Sequence, residues 1–76
     1  MIHAMRDSDL KEFMKEEKFK KVPYKKEWEK DGWKVFLYKN HLEFRSPNGR
    51  LVGKYLVYLE WNNFFNFKCA VRDLTR

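Results

Sequence analysis

The chain has 76 residues, a formal net charge of +6 at pH 7 and one cysteine. A chain of this length forms at most one small domain, so an enzyme pocket would compete with the hydrophobic core for the same residues. Apolar residues make up 43% of the chain and aromatic residues 18%, far more than a disordered basic tail carries. We therefore expect one folded domain over residues 1–76.

The sequence also indicates where the protein resides. No apolar run approaches the length of about 18 residues that a membrane span requires, and "MIHAMRDSDL" has no hydrophobic signal core. The single Cys69 excludes an internal disulfide framework and suits a reducing compartment. We expect a cytoplasmic protein.

The first predicted element is a short amphipathic helix over residues 9–19, preceded by a flexible N-terminus of residues 1–8. Asp9 is the predicted N-cap, and Glu12, three residues later, is its predicted capping-box partner. Helical spacing places three apolar residues on the face that we expect to be buried, namely Leu10, Phe13 and Met14.

Residues 20–32 are predicted to be a basic linker. Pro23 ends any helical continuation, and the lysines follow no single helical or strand period. Residues 18–39 hold eight lysines against three acidic residues, a net charge of +5. A basic segment of this density attracts polyanions by counterion release.

From Trp33 onward the apolar residues alternate with a period of two, which predicts an antiparallel sheet over residues 33–72. "SPNG", residues 46–49, predicts a type I turn with Gly49 in a left-handed conformation, and Gly53 predicts a bulge or bend. The alternation predicts an inward face made of Trp33, Val35, Leu37, Leu42, Phe44 and Leu59.

The C-terminal segment fits two periods. A turn at Asn62-Asn63 followed by alternating residues favours a fourth strand, whereas Phe64, Phe67 and Val71 also fit helical spacing. The helical alternative would give helix, three strands, helix, the element order of double-stranded-RNA-binding domains, but the basic cluster expected at the start of their last helix is missing. The expected fold is α+β: a short N-terminal helix packed on a three- to four-stranded antiparallel meander, with a C-terminal strand or short helix.

The sequence contains no catalytic or cofactor-binding motif. His3 and His41 are far apart, and no CxxC, HxxxH or HExxH spacing or P-loop is present. Glu27 and Glu29 lie among lysines, which predicts ion pairs rather than acid–base catalysis. We expect a protein that is not an enzyme and has no cofactor or metal, with Cys69 as a small buried residue.

One short helix covers only one face of a sheet, so the side chains on the other face are left uncovered and call for an explanation. Alternation predicts that this face mixes cations and aromatic rings, with Leu56, Phe64 and Arg72 also on it. Such a surface suits single-stranded nucleic acid, because bases stack on rings while cations hold phosphates. Together with the basic segment, the predicted nucleic-acid-binding residues are Lys18, Lys20, Lys21, Lys25, Lys26, Lys30, Lys34, Phe36, Tyr38, Arg45, Lys54, Tyr58 and Lys68.

These patterns predict a non-catalytic nucleic-acid-binding protein that prefers RNA or single strands. Lysine in place of arginine favours contacts to a backbone over the reading of bases. The alternative is a protein-interaction module, for example a phage or mobile-element product that inhibits a host enzyme or defence factor, since rings flanked by cations are typical interface anchors. In a third arrangement, residues 20–32 or a second copy of the chain cover the face, and the protein is a monomer or a homodimer accordingly.

Overall fold

A computed structural model describes residues 5–57 and 61–76, with the backbone alone for Trp61. The elements are helix α1 (Asp7–Glu16), strands β1 (Lys20–Lys21), β2 (Glu27–Lys30), β3 (Trp33–Leu37), β4 (Leu42–Arg45) and β5 (Leu51–Tyr55), and helix α2 (Trp61–Thr75). The strands form one antiparallel sheet in the order β1-β2-β3-β4-β5. The α+β class is confirmed, but within the described residues the sheet has five strands, and the C-terminal segment is a helix.

Helix α1 begins earlier than the sequence predicts. Its N-cap is Arg6, whose backbone N–H donates to Asp9 Oδ2 at 3.1 Å. Asp9 is therefore the third helical residue rather than the cap, and its carboxylate satisfies a backbone N–H near the positive end of the helix dipole. The predicted roles of Asp9 as N-cap and Glu12 as its partner are wrong by one helical turn.

The N-terminal residues that the structure describes are not a flexible tail. Met5 is buried in the core, and its N–H donates to the carbonyl of Val57 at 3.1 Å. This bond ties the start of α1 to the chain just after β5. Residues 1–4, including His3, lie outside the described part of the chain.

Helix α1 ends in a Schellman motif. The N–H of Phe19 donates to the Met14 carbonyl at 2.9 Å and that of Lys18 to the Lys15 carbonyl at 3.1 Å. Lys18 adopts a φ of 66°, a conformation that usually belongs to glycine at this position. The motif reverses the chain and carries the buried Phe19 toward β1.

Residues 20–32 are not a linker. They contain β1 and β2, which pair with each other and join the sheet through β3. Trp28, opposite Val35 in the register, is 4% exposed and belongs to the core. This segment therefore extends the sheet sideways rather than folding over its face. Its strands are hard to recognise because most of their residues are lysines and glutamates, which are common on exposed edge strands.

The core lies between the sheet and the two helices. It combines inward sheet residues with the apolar stripes of both helices, and the Phe67 ring meets the rings of Phe13 at 5.9 Å and Phe44 at 6.3 Å. The predicted inward faces of α1 and of the sheet are confirmed, because their residues are buried. These residues are Leu10, Phe13 and Met14 on α1 and Val35, Leu37, Leu42 and Phe44 on the sheet. Trp33 is half-buried and stacks on Phe44 at 5.3 Å, while Leu59 lies outside the described residues.

The hairpin between β4 and β5 is formed as predicted. Gly49 has a φ of 87°, and its N–H donates to the Ser46 carbonyl at 2.9 Å. The register shifts between Phe44, which lies opposite Gly53, and Arg45, which lies opposite Leu51. The register skips Val52, the residue before Gly53, in agreement with the predicted bulge or bend there.

The C-terminal segment is helical, so the prediction of a fourth strand there is wrong. Phe64, Phe67 and Val71 form the buried stripe of α2. Asn62 and Asn63 belong to its first turn, and Asn63 Nδ2 donates to the Leu56 carbonyl at 2.8 Å. Neither helix in the described residues is long and apolar enough to cross a membrane.

Candidate nucleic-acid interface

The face of the sheet turned away from the helices carries the side chains that alternate with the core residues. We call it the outer face. Residues opposite one another in the register share a face. They form two rows across the strands, Glu27, Phe36, Glu43 and Lys54 in one row and Lys20, Glu29, Lys34 and Arg45 in the other.

Three rings stack along one end of the outer face, and we call Phe36, Tyr38 and His41 the aromatic row. The ring centroids of Phe36 and Tyr38 are 6.3 Å apart, and those of Tyr38 and His41 are 4.8 Å apart at an interplanar angle of 17°. The N–H of Tyr38 donates to the His41 carbonyl at 2.9 Å, which closes the turn from β3 to β4. Tyr38 is 45% exposed, so the row presents a ring to solvent.

The outer face is mixed in charge rather than basic. Glu43 hydrogen-bonds His41 Nε2 at 3.2 Å and accepts from Arg45 Nη2 at 3.0 Å. The hydrogen bond with His41 and the nearby Arg45 guanidinium hold the pKa of Glu43 below its usual value, although burial opposes them. Across the strands, Lys54 lies opposite Glu43 and Lys34 opposite Glu29. Carboxylates thus offset much of the positive charge of this face.

Exposed lysines gather where the aromatic row begins. Lys25 and Lys26 follow Tyr24 in the turn from β1 to β2, and Tyr24 is fully exposed with a φ of 64°. The Lys26 carbonyl accepts from the N–H of Leu37 at 2.9 Å, which places this turn beside the end of β3. Lys39, in the turn from β3 to β4, is also exposed. This end of the sheet therefore combines accessible rings with several cations.

A second basic surface lies between α1 and the β1–β2 hairpin. It is a groove of about 600 Å³, and we call it the lysine groove. Strand β1 separates it from the outer face, because Lys20 lies opposite Glu29 on the outer face while Lys21 lies opposite the core residue Trp28. The groove is lined by Lys11, Lys15, Lys18, Phe19, Lys21 and Trp28.

The structure divides the predicted binding residues among several surfaces. Lys18 and Lys21 line the lysine groove, and Lys25 and Lys26 lie in the β1–β2 turn. Lys30 Nζ lies 5.9 Å from the centroid of the Phe19 ring. Tyr58 lies outside the described residues. The predicted residues on the outer face are Lys20, Lys34, Phe36, Tyr38, Arg45 and Lys54.

Phe64, Lys68 and Arg72 do not lie on the outer face, because their segment is helix α2. Phe64 is buried, and Lys68 Nζ lies 4.8 Å from the centroid of its ring. Lys68 and Arg72 line a hollow together with three carboxylates of α1, namely Asp9, Glu12 and Glu16. Their predicted placement was wrong because a period of two was assigned to a helical stripe.

Sequence reasoning missed Lys11, Lys15 and Phe19 as parts of a binding surface. The spacing of Lys11, Lys15 and Lys18 by four and three residues does indicate one side of a helix. Strand β1, which the sequence did not predict, brings Lys21 next to that side of the helix.

Other chemistry has less support. Within residues 5–57 and 61–76, no three His, Cys, Asp or Glu side chains are grouped so that they could hold a metal ion. Cys69, predicted to be a small buried residue, is partly buried in α2.

The chain matches no protein-family model, no curated protein and no solved structure.

Proposed function

We propose that this protein is a non-catalytic nucleic-acid-binding protein that takes RNA or single-stranded DNA on the outer face of its sheet. The observation that carries the proposal is the aromatic row, a stack of rings partly open to solvent beside a group of exposed lysines. Every nucleobase has a π-face, so rings of this kind bind unpaired bases with little dependence on sequence, at about 1–3 kcal/mol per base.

The charge distribution supports a single strand over a duplex. Non-specific duplex binding depends mainly on neutralising phosphates, and Glu29 and Glu43 weaken the outer face for that purpose. Stacking instead requires bases that are not paired. The nearby Lys25, Lys26 and Lys39 can hold a backbone by point-charge contacts, which select weakly among sequences.

The test is the double variant Phe36→Ser, Tyr38→Ser. We expect it to stay folded and to bind a fluorescently labelled single-stranded oligonucleotide about tenfold more weakly for each stacked base that is lost. Because no charge changes, the slope of log affinity against log salt should stay the same. Fluorescence anisotropy over a salt series measures both quantities.

Two controls sharpen this test. Phe65→Ser removes a ring of α2 that is 44% exposed, similar to the 45% of Tyr38, and should leave binding unchanged. Lys25→Gln with Lys26→Gln should instead flatten the salt slope by about 0.7 for each lost phosphate contact with the single strand. Wild-type binding by the Phe36, Tyr38 double variant would contradict the proposal.

A protein-binding module is a second candidate, and strand β5 favours it. β5 lies at the edge of the described sheet opposite β1, and Leu51 and Val52 are exposed along it. They line a hollow of about 440 Å³ together with Leu74 of α2. Apolar edge strands accept an extended segment of another chain. Purification from cells without nuclease separates the candidates, because the first predicts co-purifying nucleic acid and the second a stoichiometric protein.

A further inference from the structure

We propose that the lysine groove is a binding site for a chain of phosphates, distinct from the outer face of the sheet. Two sources share this ligand chemistry: the phosphodiester backbone of a nucleic acid and a free oligophosphate. The inference does not depend on base stacking at the aromatic row, and it extends the binding surface to residues outside the predicted set.

The charge of the groove is of one sign. Its lining contains four lysines and no carboxylate. Lys11 and Lys15 lie one turn apart on α1, Lys18 follows where that helix ends, and Lys21 comes from β1. Like charges one helical turn apart destabilise a helix by a few tenths of a kcal/mol. A multivalent anion bound among these four ammonium groups would reverse that cost.

Lys18 provides a second and independent observation. It occupies the left-handed position of the Schellman motif, with a φ of 66°, where glycine would be free of strain. Residues held in such conformations concentrate at ligand-binding sites, where the strain is tolerated for function. The lysine at this position lines the groove and also borders a neighbouring hollow that contains Glu29 and Asp31. A ligand in the groove would give its ammonium group a role that glycine could not fill.

The floor of the groove explains why the ligand is a phosphate chain rather than a stacked base. Phe19 is 7% exposed and Trp28 is 4% exposed, so neither ring offers an open face. They form a rigid apolar base that lowers the local dielectric constant beneath the lysines and strengthens their attraction for an anion. Lys21 Nζ, 5.7 Å from the centroid of the Trp28 ring, is positioned in advance by a cation–π contact.

The volume of the groove agrees with this ligand. At about 600 Å³ it lies within the range of about 300–1,000 Å³ that is usual for small-molecule sites. Lysine donors on flexible stems suit successive phosphate groups, which differ little in chemistry, and they require no single bidentate geometry.

Isothermal titration calorimetry on the full chain tests the proposal with two probes: tripolyphosphate and an abasic single-stranded oligonucleotide, which has a phosphodiester backbone without bases. Lys18→Gly is the most informative variant, because it removes an ammonium group while relieving backbone strain. We expect its melting temperature to equal or exceed that of the wild type while its affinity for a bound probe falls about tenfold. Lys11→Gln with Lys15→Gln should lower affinity further and flatten the salt slope by about 0.7 per lost contact with the single strand.

Lys25→Gln with Lys26→Gln is the matched control, since it removes two lysines outside the groove. It should leave tripolyphosphate binding unchanged. Groove-dependent binding of both probes supports a general phosphate-chain site. Binding of the abasic strand alone assigns the site to a nucleic-acid backbone, and binding of tripolyphosphate alone assigns it to a free oligophosphate.

The proposal is overturned if neither probe binds, or if the groove variants bind both probes as tightly as the wild type. Failure of the outer-face proposal shows separately, as wild-type oligonucleotide binding by the Phe36→Ser, Tyr38→Ser variant.

Discussion

Glu17 and Arg76 form a bidentate ion pair across 59 sequence positions. Arg76 donates from Nε to Glu17 Oε1 at 3.0 Å and from Nη2 to Oε2 at 2.7 Å. Arg72 Nε lies 3.6 Å from the same carboxylate, and Glu17 is 3% exposed. The end of α1 is thus tied to the residue that follows α2 through a buried charge that two guanidinium groups compensate.

The first prediction concerns this pair. Arg76→Gln should destabilise the protein by about 1–2 kcal/mol, because it removes two charge-assisted hydrogen bonds from a buried carboxylate. The loss is limited because the Arg76 side chain is 62% exposed, so water can replace part of the interaction. Urea unfolding measures the difference. Arg50→Gln, at an exposed position of the β4–β5 hairpin, is the control, and equal stability of the two variants would contradict the prediction.

The second prediction concerns the core. Phe13→Ala and Phe44→Ala should each cost about 3–5 kcal/mol, since both rings are buried and each leaves a cavity. For a domain of this size that is a large part of the total stability, so both variants should melt far below the wild type. Phe36→Ala, on the outer face, should have a much smaller effect. If Phe36→Ala proved the most damaging of the three, the two faces of the sheet would be assigned the wrong way round.

The third prediction concerns acid stability. His41 and Arg45 lower the pKa of Glu43 in the folded state below its usual value of 4.5. A carboxylate with a depressed folded-state pKa contributes stability above the unfolded-state pKa and loses it as the pH falls through the folded-state value. Glu43→Gln should therefore lose less stability than the wild type between near-neutral pH and about pH 3.

Urea unfolding at the two pH values measures this difference. An identical acid dependence of Glu43→Gln and the wild type would show that the hydrogen bonds of Glu43 do not stabilise the fold.

Strands β3 and β4 and the turn at residues 46–49 could be predicted from the sequence, because the patterns that indicate them lie within short stretches of chain. Val35, Leu37, Leu42 and Phe44 alternate with polar residues in two consecutive runs, and a half-buried strand produces this period. The turn at residues 46–49 depends on Gly49, which adopts its left-handed conformation within four residues of chain. The prediction of an outer face with Phe36 and Tyr38 follows from the same alternation.

The β1–β2 hairpin and helix α2 could not be predicted from local signals, because both depend on long-range contacts. Lys20, Lys21 and Glu29 show no apolar pattern, and they belong to strands because backbone pairing with β3 incorporates the hairpin, with Trp28 as its anchor in the core. The segment around Phe64 and Phe67 satisfies both helical and strand periods, so its own residues do not distinguish them. Packing does, because only a helix brings Phe64, Phe67 and Val71 onto α1 and the sheet together.

The lysine groove depends on the same kind of contact. The sequence alone determines the positive charge of residues 18–39 and the helical spacing of Lys11, Lys15 and Lys18. It does not determine that these lysines lie beside Lys21 over Phe19 and Trp28. That arrangement requires the left-handed turn at Lys18 and the pairing of β1 with β2. Charge and local periodicity are carried by neighbouring residues, whereas a groove between two elements exists only once the core has placed those elements side by side.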